Sequence, residues 1–168
     1  ITINSAGNIT VNGGSGTDTL TISYSGITDI GSFTSRIRQD DDTYVLTDGS
    51  GNTVSFSNIG DSIDGDFWGA TTGLTVNGDS YCISSDKYSP LDLWYPNSSS
   101  SGAVFYSLST GKVGLIANGS NTRASFVPSR TGSGSCAGSG LATTAMTIYG
   151  TAIADHIEGS TQGDTIYG

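Results

Sequence analysis

Good helix formers are scarce in this chain. Among its 168 residues there is a single glutamate, Glu158, only two lysines, Lys87 and Lys112, and no long stretch rich in alanine and leucine. Helices are therefore not expected to dominate. No apolar run approaches the ~18 residues that a membrane-spanning helix requires, so we expect no membrane insertion. There is one histidine, His156, which cannot supply a two-histidine zinc signature such as H-E-x-x-H. The G-x-S-x-G elbow of serine hydrolases is also missing. Cationic residues are few: six Lys and Arg face fifteen Asp and Glu, a formal net charge of −9. Nucleic acid needs a cationic face to neutralise its phosphates, so neither nucleic acid nor an anionic membrane surface is an expected partner. An acidic chain of this kind suits divalent cations or salty surroundings instead.

What is abundant is Gly, Ser, Thr and Asn, with 25 glycines. Apolar residues, 35% of the total, recur in short runs bounded by Gly, Asn, Asp and Ser. Such punctuation marks strands and turns, and the expected fold is all-β with a thin core. The length suits one ordinary domain or two small ones. The two cysteines, Cys82 and Cys136, could pair as a disulfide, which would suit an extracellular protein, or stay as buried thiols. We expect the disulfide; the deciding test is geometric.

Charge divides the chain into three zones. Residues 1–66 carry nine acids and two bases, residues 67–149 three acids and four bases, and residues 150–168 three acids and no base. The middle zone also holds Trp68, Trp94, both cysteines and all three prolines. We read it as an insertion with its own small core, and divide the chain at 1–27, 28–66, 67–146 and 147–168. Short alternating strands are expected at 1–3, 9–11 and 20–22. A meander follows, with one strand marked by Phe33 and Ile37, another at 44–47, a hairpin turn at 48–52 and a return at 53–56. Asp40-Asp41-Asp42 reads as a solvated turn, with an ion site as the sharper alternative. Further strands are expected at 74–76, 81–83, 103–108, 113–117 and 124–127. Residues 98–101 and 131–140 read as Ser/Gly loops.

One segment carries a motif. Gly13-Gly14-Ser15-Gly16-Thr17-Asp18-Thr19-Leu20-Thr21 has the form G-G-x-G-x-D-x-U-x, with U large and apolar. Two looser copies stand at 150–158 and 159–167. Asp155 and Asp164 are nine apart, and so are Ile157 and Ile166. The copies depart from the pattern at Thr151 and Ser160, in the second glycine position, and at Ile153 and Gln162, in the fourth. Gly168 would open a further copy and Ile1 begins directly in a strand-like run, so we expect a longer parent polypeptide. Ordinary Gly/Asp turns between strands are the plainer alternative.

These nonapeptides resemble those of the RTX (repeats-in-toxin) calcium-binding surface proteins, and the resemblance is confined to the two ends of the chain. It implies parallel β-roll or β-solenoid segments at both ends, with an inserted antiparallel meander or sandwich-like domain between them. It also implies calcium between stacked loops. Calcium takes six to eight oxygen ligands, so one loop with a few carbonyls and one aspartate leaves the shell for a neighbouring loop to complete. The implied ligand residues are Gly14, Gly16, Asp18, Asp155, Ser160 and Asp164. Glycines that are costly to order and aspartates that repel would couple folding to the ion.

Other residue groups have bland readings. Gly134-Ser135-Cys136-Ala137-Gly138 puts a cysteine in an elbow-like position, but no second histidine can act as its base. Asp61, Asp64 and Asp66 beside Phe67-Trp68 could be paired glycosidase carboxylates, though a polar turn explains them. Tyr88, Trp94 and Tyr95 could stack on a sugar, though a small core explains them. The N-x-S/T triplets at Asn8, Asn97 and Asn118 are incidental in a bacterial protein. We therefore expect a non-enzymatic, calcium-binding structural segment of a secreted bacterial or phage surface protein, such as an adhesin, S-layer or extracellular filament component. Its expected partners are calcium ions and copies of itself. The alternatives are a carbohydrate-binding accessory module that takes a surface glycan, or a calcium-dependent secretion and folding module of a larger enzyme.

Overall fold

The computed structural model describes residues 1–39, 43–60, 70–84, 100–101, 103–119, 123–132 and 134–168. The acidic triplet at 40–42, the group of Asp61, Asp64, Asp66, Phe67 and Trp68, the cluster of Tyr88, Trp94 and Tyr95, and Asn97 lie outside the described residues. The fold is all-β. In chain order the strands are β1 (Thr2–Ile3), β2 (Ile9–Asn12), β3 (Leu20–Ile22), β4 (Phe33–Arg38), β5 (Tyr44–Asp48), β6 (Thr53–Ser57), β7 (Ala70–Val76) and β8 (Asp79–Ser84). They continue with β9 (Ser100–Ser101), β10 (Val104–Tyr106), β11 (Lys112–Leu115), β12 (Ala117–Asn118), β13 (Arg123–Phe126), β14 (Thr147–Tyr149), β15 (Ala154–Ile157) and β16 (Thr165–Tyr167). The helical turns among the described residues are short and of the 3-10 type.

Eight strands form a central sheet in the order β1-β3-β7-β8-β10-β11-β14-β16. A front sheet runs β12-β4-β5-β6-β2, and a back sheet runs β15-β13-β9. The middle zone thus supplies β7, β8, β10 and β11 to the same sheet that the terminal segments occupy. Pairing is parallel at both ends of the central sheet and antiparallel in its middle, from β7 through β8 and β10 to β11.

The central strands are covered on both faces. Tyr81, Ile83 and Phe105 point into one apolar cluster with Leu20, Leu74 and the front-sheet residues Leu46, Val54 and Phe56. Cys82, Val104 and Tyr106 point the other way, into a second cluster with Phe126, Leu141 and Ile148. This explains why Tyr81-Cys82-Ile83 and Val104-Phe105-Tyr106 read as unbroken apolar runs. By contrast Leu20-Thr21-Ile22 alternates, because only the Leu20 and Ile22 side chains reach a core.

The meander follows the expected strands with one inversion. The pairing of β4 with β5 shifts register between Phe33 and Ser35. An extra residue in a strand moves every later side chain to the opposite face. Phe33 is buried, whereas Ile37, the other residue that marks this strand, is 37% exposed, and Arg36 and Arg38 turn inward at 5% and 2%. The hairpin at 48–52 is held by Asp48, whose carboxylate accepts from the Ser50 and Asn52 amides at 2.8 and 2.9 Å.

Cys82 and Cys136 form a disulfide, with Cα atoms 5.9 Å apart. It ties β8 to the stretch from Pro128 to Thr143, whose described residues form 3-10 turns and no strand. No helix among the described residues is long and apolar enough to cross a membrane.

Candidate ion-binding loops

The two ends of the central sheet are built alike. At the C-terminal end, Thr147-Ile148-Tyr149 pairs in parallel with Thr165-Ile166-Tyr167, residue for residue and eighteen positions apart. The intervening strand β15 belongs to the back sheet, beside β13. The two nonapeptides thus cross from the central sheet to the back sheet and return to the central sheet. Tyr149 stacks on Tyr167 with ring centroids 5.4 Å apart. At the N-terminal end β1 pairs in parallel with β3, and β2 between them lies in the front sheet beside β6.

In the loop at 13–18, Gly14 and Gly16 adopt φ of +85° and +106°, a left-handed backbone that side chains resist. Gly13 is small for a different reason: a Cβ there would stand 1.9 Å from the Asn58 carbonyl oxygen. The loop is pinned to the 57–60 segment at both ends. The Gly13 amide donates to the Ser57 carbonyl at 3.0 Å, and the Gly60 amide donates to the Asp18 carbonyl at 2.8 Å. Asn12 accepts from the Gly14 amide and from the Asn58 side chain, both at 2.9 Å. Among the described residues the Asp18 carboxylate takes no hydrogen bond.

The two C-terminal loops are organised differently. The Asp155 carboxylate accepts from the Thr151 amide and from the Thr151 hydroxyl, each at 2.8 Å. The Asp164 carboxylate accepts from the Ser160 amide at 2.6 Å, the Ser160 hydroxyl at 2.8 Å and the Met146 amide at 2.8 Å. Burial pushes the Asp164 pKa up, but the three donors outweigh it and hold the carboxyl below its ordinary range. No residue from 150 to 168 is left-handed. Gly150 and Gly159 are glycines because a Cβ on either would meet the carboxylate, at 2.4 and 2.6 Å.

One buried cation lies against the first of these loops. The Arg36 guanidinium donates to the Leu115 carbonyl at 2.9 Å, to the Tyr149 carbonyl at 3.2 Å, and to the carbonyls of Phe33 and Gly150. Burial lowers its pKa to about 10, while Asp155 and Tyr149 pull in the opposite direction. Nothing in the sequence marks Arg36 for this position, since its partners are backbone carbonyls. Nearby, Asp29 pairs with Lys112 at 3.0 Å and accepts from the Tyr149 hydroxyl at 3.3 Å.

The residues can be tested against calcium. The 13–18 loop fits: it has left-handed glycines, an aspartate that takes no hydrogen bond from the described residues, and no crowding around Gly14 or Gly16. In the loops holding Asp155, Ser160 and Asp164 each carboxylate oxygen already accepts an amide or hydroxyl donor, so an ion there would have to share or displace those donors. No three His, Cys, Asp or Glu side chains converge among the described residues, so a site at Asp18 would depend on backbone oxygens. Cys136 is disulfide-bonded and offers no thiolate. His156 stands 4.0 Å from Glu158 on β15. No protein-family model matches the chain, and no curated protein or solved structure matches it either.

Proposed function

We propose that this chain is a non-enzymatic, calcium-binding structural segment of a secreted bacterial or phage surface protein, in which RTX-type β-roll coils flank an antiparallel centre. The carrying observation is the eighteen-residue coil, in which two in-register nonapeptides bring Thr-Ile-Tyr over Thr-Ile-Tyr. A disulfide across the second core is compatible with an extracellular setting, where such bonds persist. Calcium belongs at the 13–18 loop, with Asp18 as its side-chain ligand and loop carbonyls completing part of the shell. The role is mechanical: a sheet with parallel coils at each end, stiffened by an ion at one of them, in an adhesin, S-layer or filament that packs against copies of itself.

Calcium titration followed by circular dichroism and calorimetry tests this reading. The expected result is a rise in melting temperature that saturates with calcium and disappears in Asp18→Asn. A chain indifferent to calcium by both methods would remove the metal from the proposal. A second reading is supported by the groove of about 430 Å³ beside this loop, lined by Thr17, Thr19, Thr72, Ser109 and Leu108 among others. Its wall is mostly apolar with threonine and serine hydroxyls set into it, a mixture that suits a sugar, and glycan-array binding lost in Leu108→Asp would favour that module over a purely structural role.

A further inference from the structure

The C-terminal repeats carry in their own side chains what a cation would otherwise supply. We propose that Thr151 and Ser160 act as clamps that hold these two turns in shape without calcium, so that ion dependence is confined to the 13–18 loop. This rests on reading the three loops as repeats of one kind.

An ionised aspartate is acceptor-only, and in a closed turn it must be met by a metal, a cation or hydrogen-bond donors. Thr151 supplies two donors to Asp155, one to each oxygen, from its amide and its hydroxyl. Ser160 does the same to Asp164. The arrangement recurs nine residues later with a different hydroxyl residue, so it belongs to the turn and not to one side chain. The backbone agrees. The second position is left-handed at Gly14 but not at Thr151 or Ser160, so a side chain is tolerated there and can carry the hydroxyl. The glycine before each clamp leaves room for the carboxylate to fold back. Arg36 adds a fixed positive charge on the Gly150 carbonyl, close enough to Asp155 for the two to interact. Position two of the repeat thus separates a metal-dependent turn from a self-clamped one.

The test is calorimetry of the full chain carrying Asp18→Asn, in chelator and in calcium. Its melting temperature is expected to be the same in both. Adding Thr151→Gly and Ser160→Gly should lower it by roughly 4–8 °C in chelator, from the lost hydroxyl bonds. Thr151→Ser with Ser160→Thr, which keeps both hydroxyls, should restore it. The proposal is overturned if calcium raises the melting of the Asp18→Asn chain and Asp155→Asn with Asp164→Asn abolishes that rise. It is equally overturned if the glycine pair melts with its parent in chelator. Should the glycine pair not fold, Thr151→Val with Ser160→Ala deletes only the hydroxyls, and its melting must also fall. A wild-type chain indifferent to calcium would sink the Asp18 site while leaving the clamp measurement intact.

Discussion

Replacing Cys82 and Cys136 together by alanine should lower the melting temperature by about 8–16 °C. The bridge closes a sequence separation of 54 residues. For a loop of that length the chain-entropy relation gives about 4 kcal/mol of stabilisation through the unfolded state. In a chain of this size each kcal/mol corresponds to roughly 2–4 °C. The native-state context argues for the full effect. The described residues from Pro128 to Thr143 form no strand that binds them to a sheet, and their turns are rich in Gly and Ser. Apart from the disulfide, the stretch is held by Leu141 in the second core, by the Tyr106 hydroxyl on the Cys136 carbonyl, by Thr131, and by the Ala142 carbonyl, which accepts from the Thr161 amide at 2.9 Å. The assay is calorimetry of the oxidised chain and of the double variant, with guanidinium melts as a check on two-state behaviour. A fall below about 2 °C, with unchanged denaturant midpoints, would refute the entropy argument and show that packing alone secures this stretch.

Three further outcomes follow from buried or hydrogen-bonded groups. Arg36→Met should cost at least about 3 kcal/mol in urea unfolding, because four carbonyls lose their donor, and Arg36→Lys should recover part of the loss, since one ammonium can reach only some of them. At alkaline pH, burial holds the pKa of Tyr24 up to about 12 and raises those of Tyr81 and Tyr106 as well. The unfolded chain then loses tyrosine protons that the folded chain keeps, so urea midpoints should fall from about pH 10 upward, which titration of tyrosinate absorbance can follow. At acid pH the sign reverses: the stability that Asp164 contributes is present above the ordinary carboxylate range and lost as pH falls through its depressed folded value, and Asp164→Asn should flatten that limb.

The strands were legible because side-chain alternation and turn residues are local. The 48–52 hairpin was readable from Asp48-Gly49-Ser50-Gly51-Asn52, and the left-handed loop from Gly14 and Gly16. The inward turn of Arg36 was not. An arginine between Ser35 and Ile37 looks solvent-facing unless the bulge is known, and a bulge leaves no residue signature here. Its ligands are carbonyls, which every residue has. Thr151 and Ser160 were visible as departures from a glycine pattern, but that they donate to the aspartate four residues on is a matter of backbone shape. The strand order of the central sheet was also hidden. A run such as Tyr81-Cys82-Ile83 announces burial on both faces without saying which strands lie beside it.

The strand order places the two repeat-bearing ends at opposite edges of the central sheet, and the direction of the strands sets which face each one covers. From β7 to β11 the central sheet makes three antiparallel steps, an odd number, so β14 and β16 run opposite to β1 and β3. Crossovers between parallel strands keep one hand. Two coils of the same hand that advance the same way across a sheet, on strands of opposite direction, must put their outer strands on opposite faces. The cores agree with this. Ile3, Leu20 and Ile22 of the first coil share a cluster with Val11 of β2, whereas Ile148 of the second shares the other cluster, with Ile157 of β15 packed against it. An even number of antiparallel steps would have laid both coils on one face, leaving the other to β13 and the Leu141 stretch without a coil strand beside them. The middle zone therefore does more than separate the repeats, because the parity of its strands sets which face each coil covers and divides the core in two.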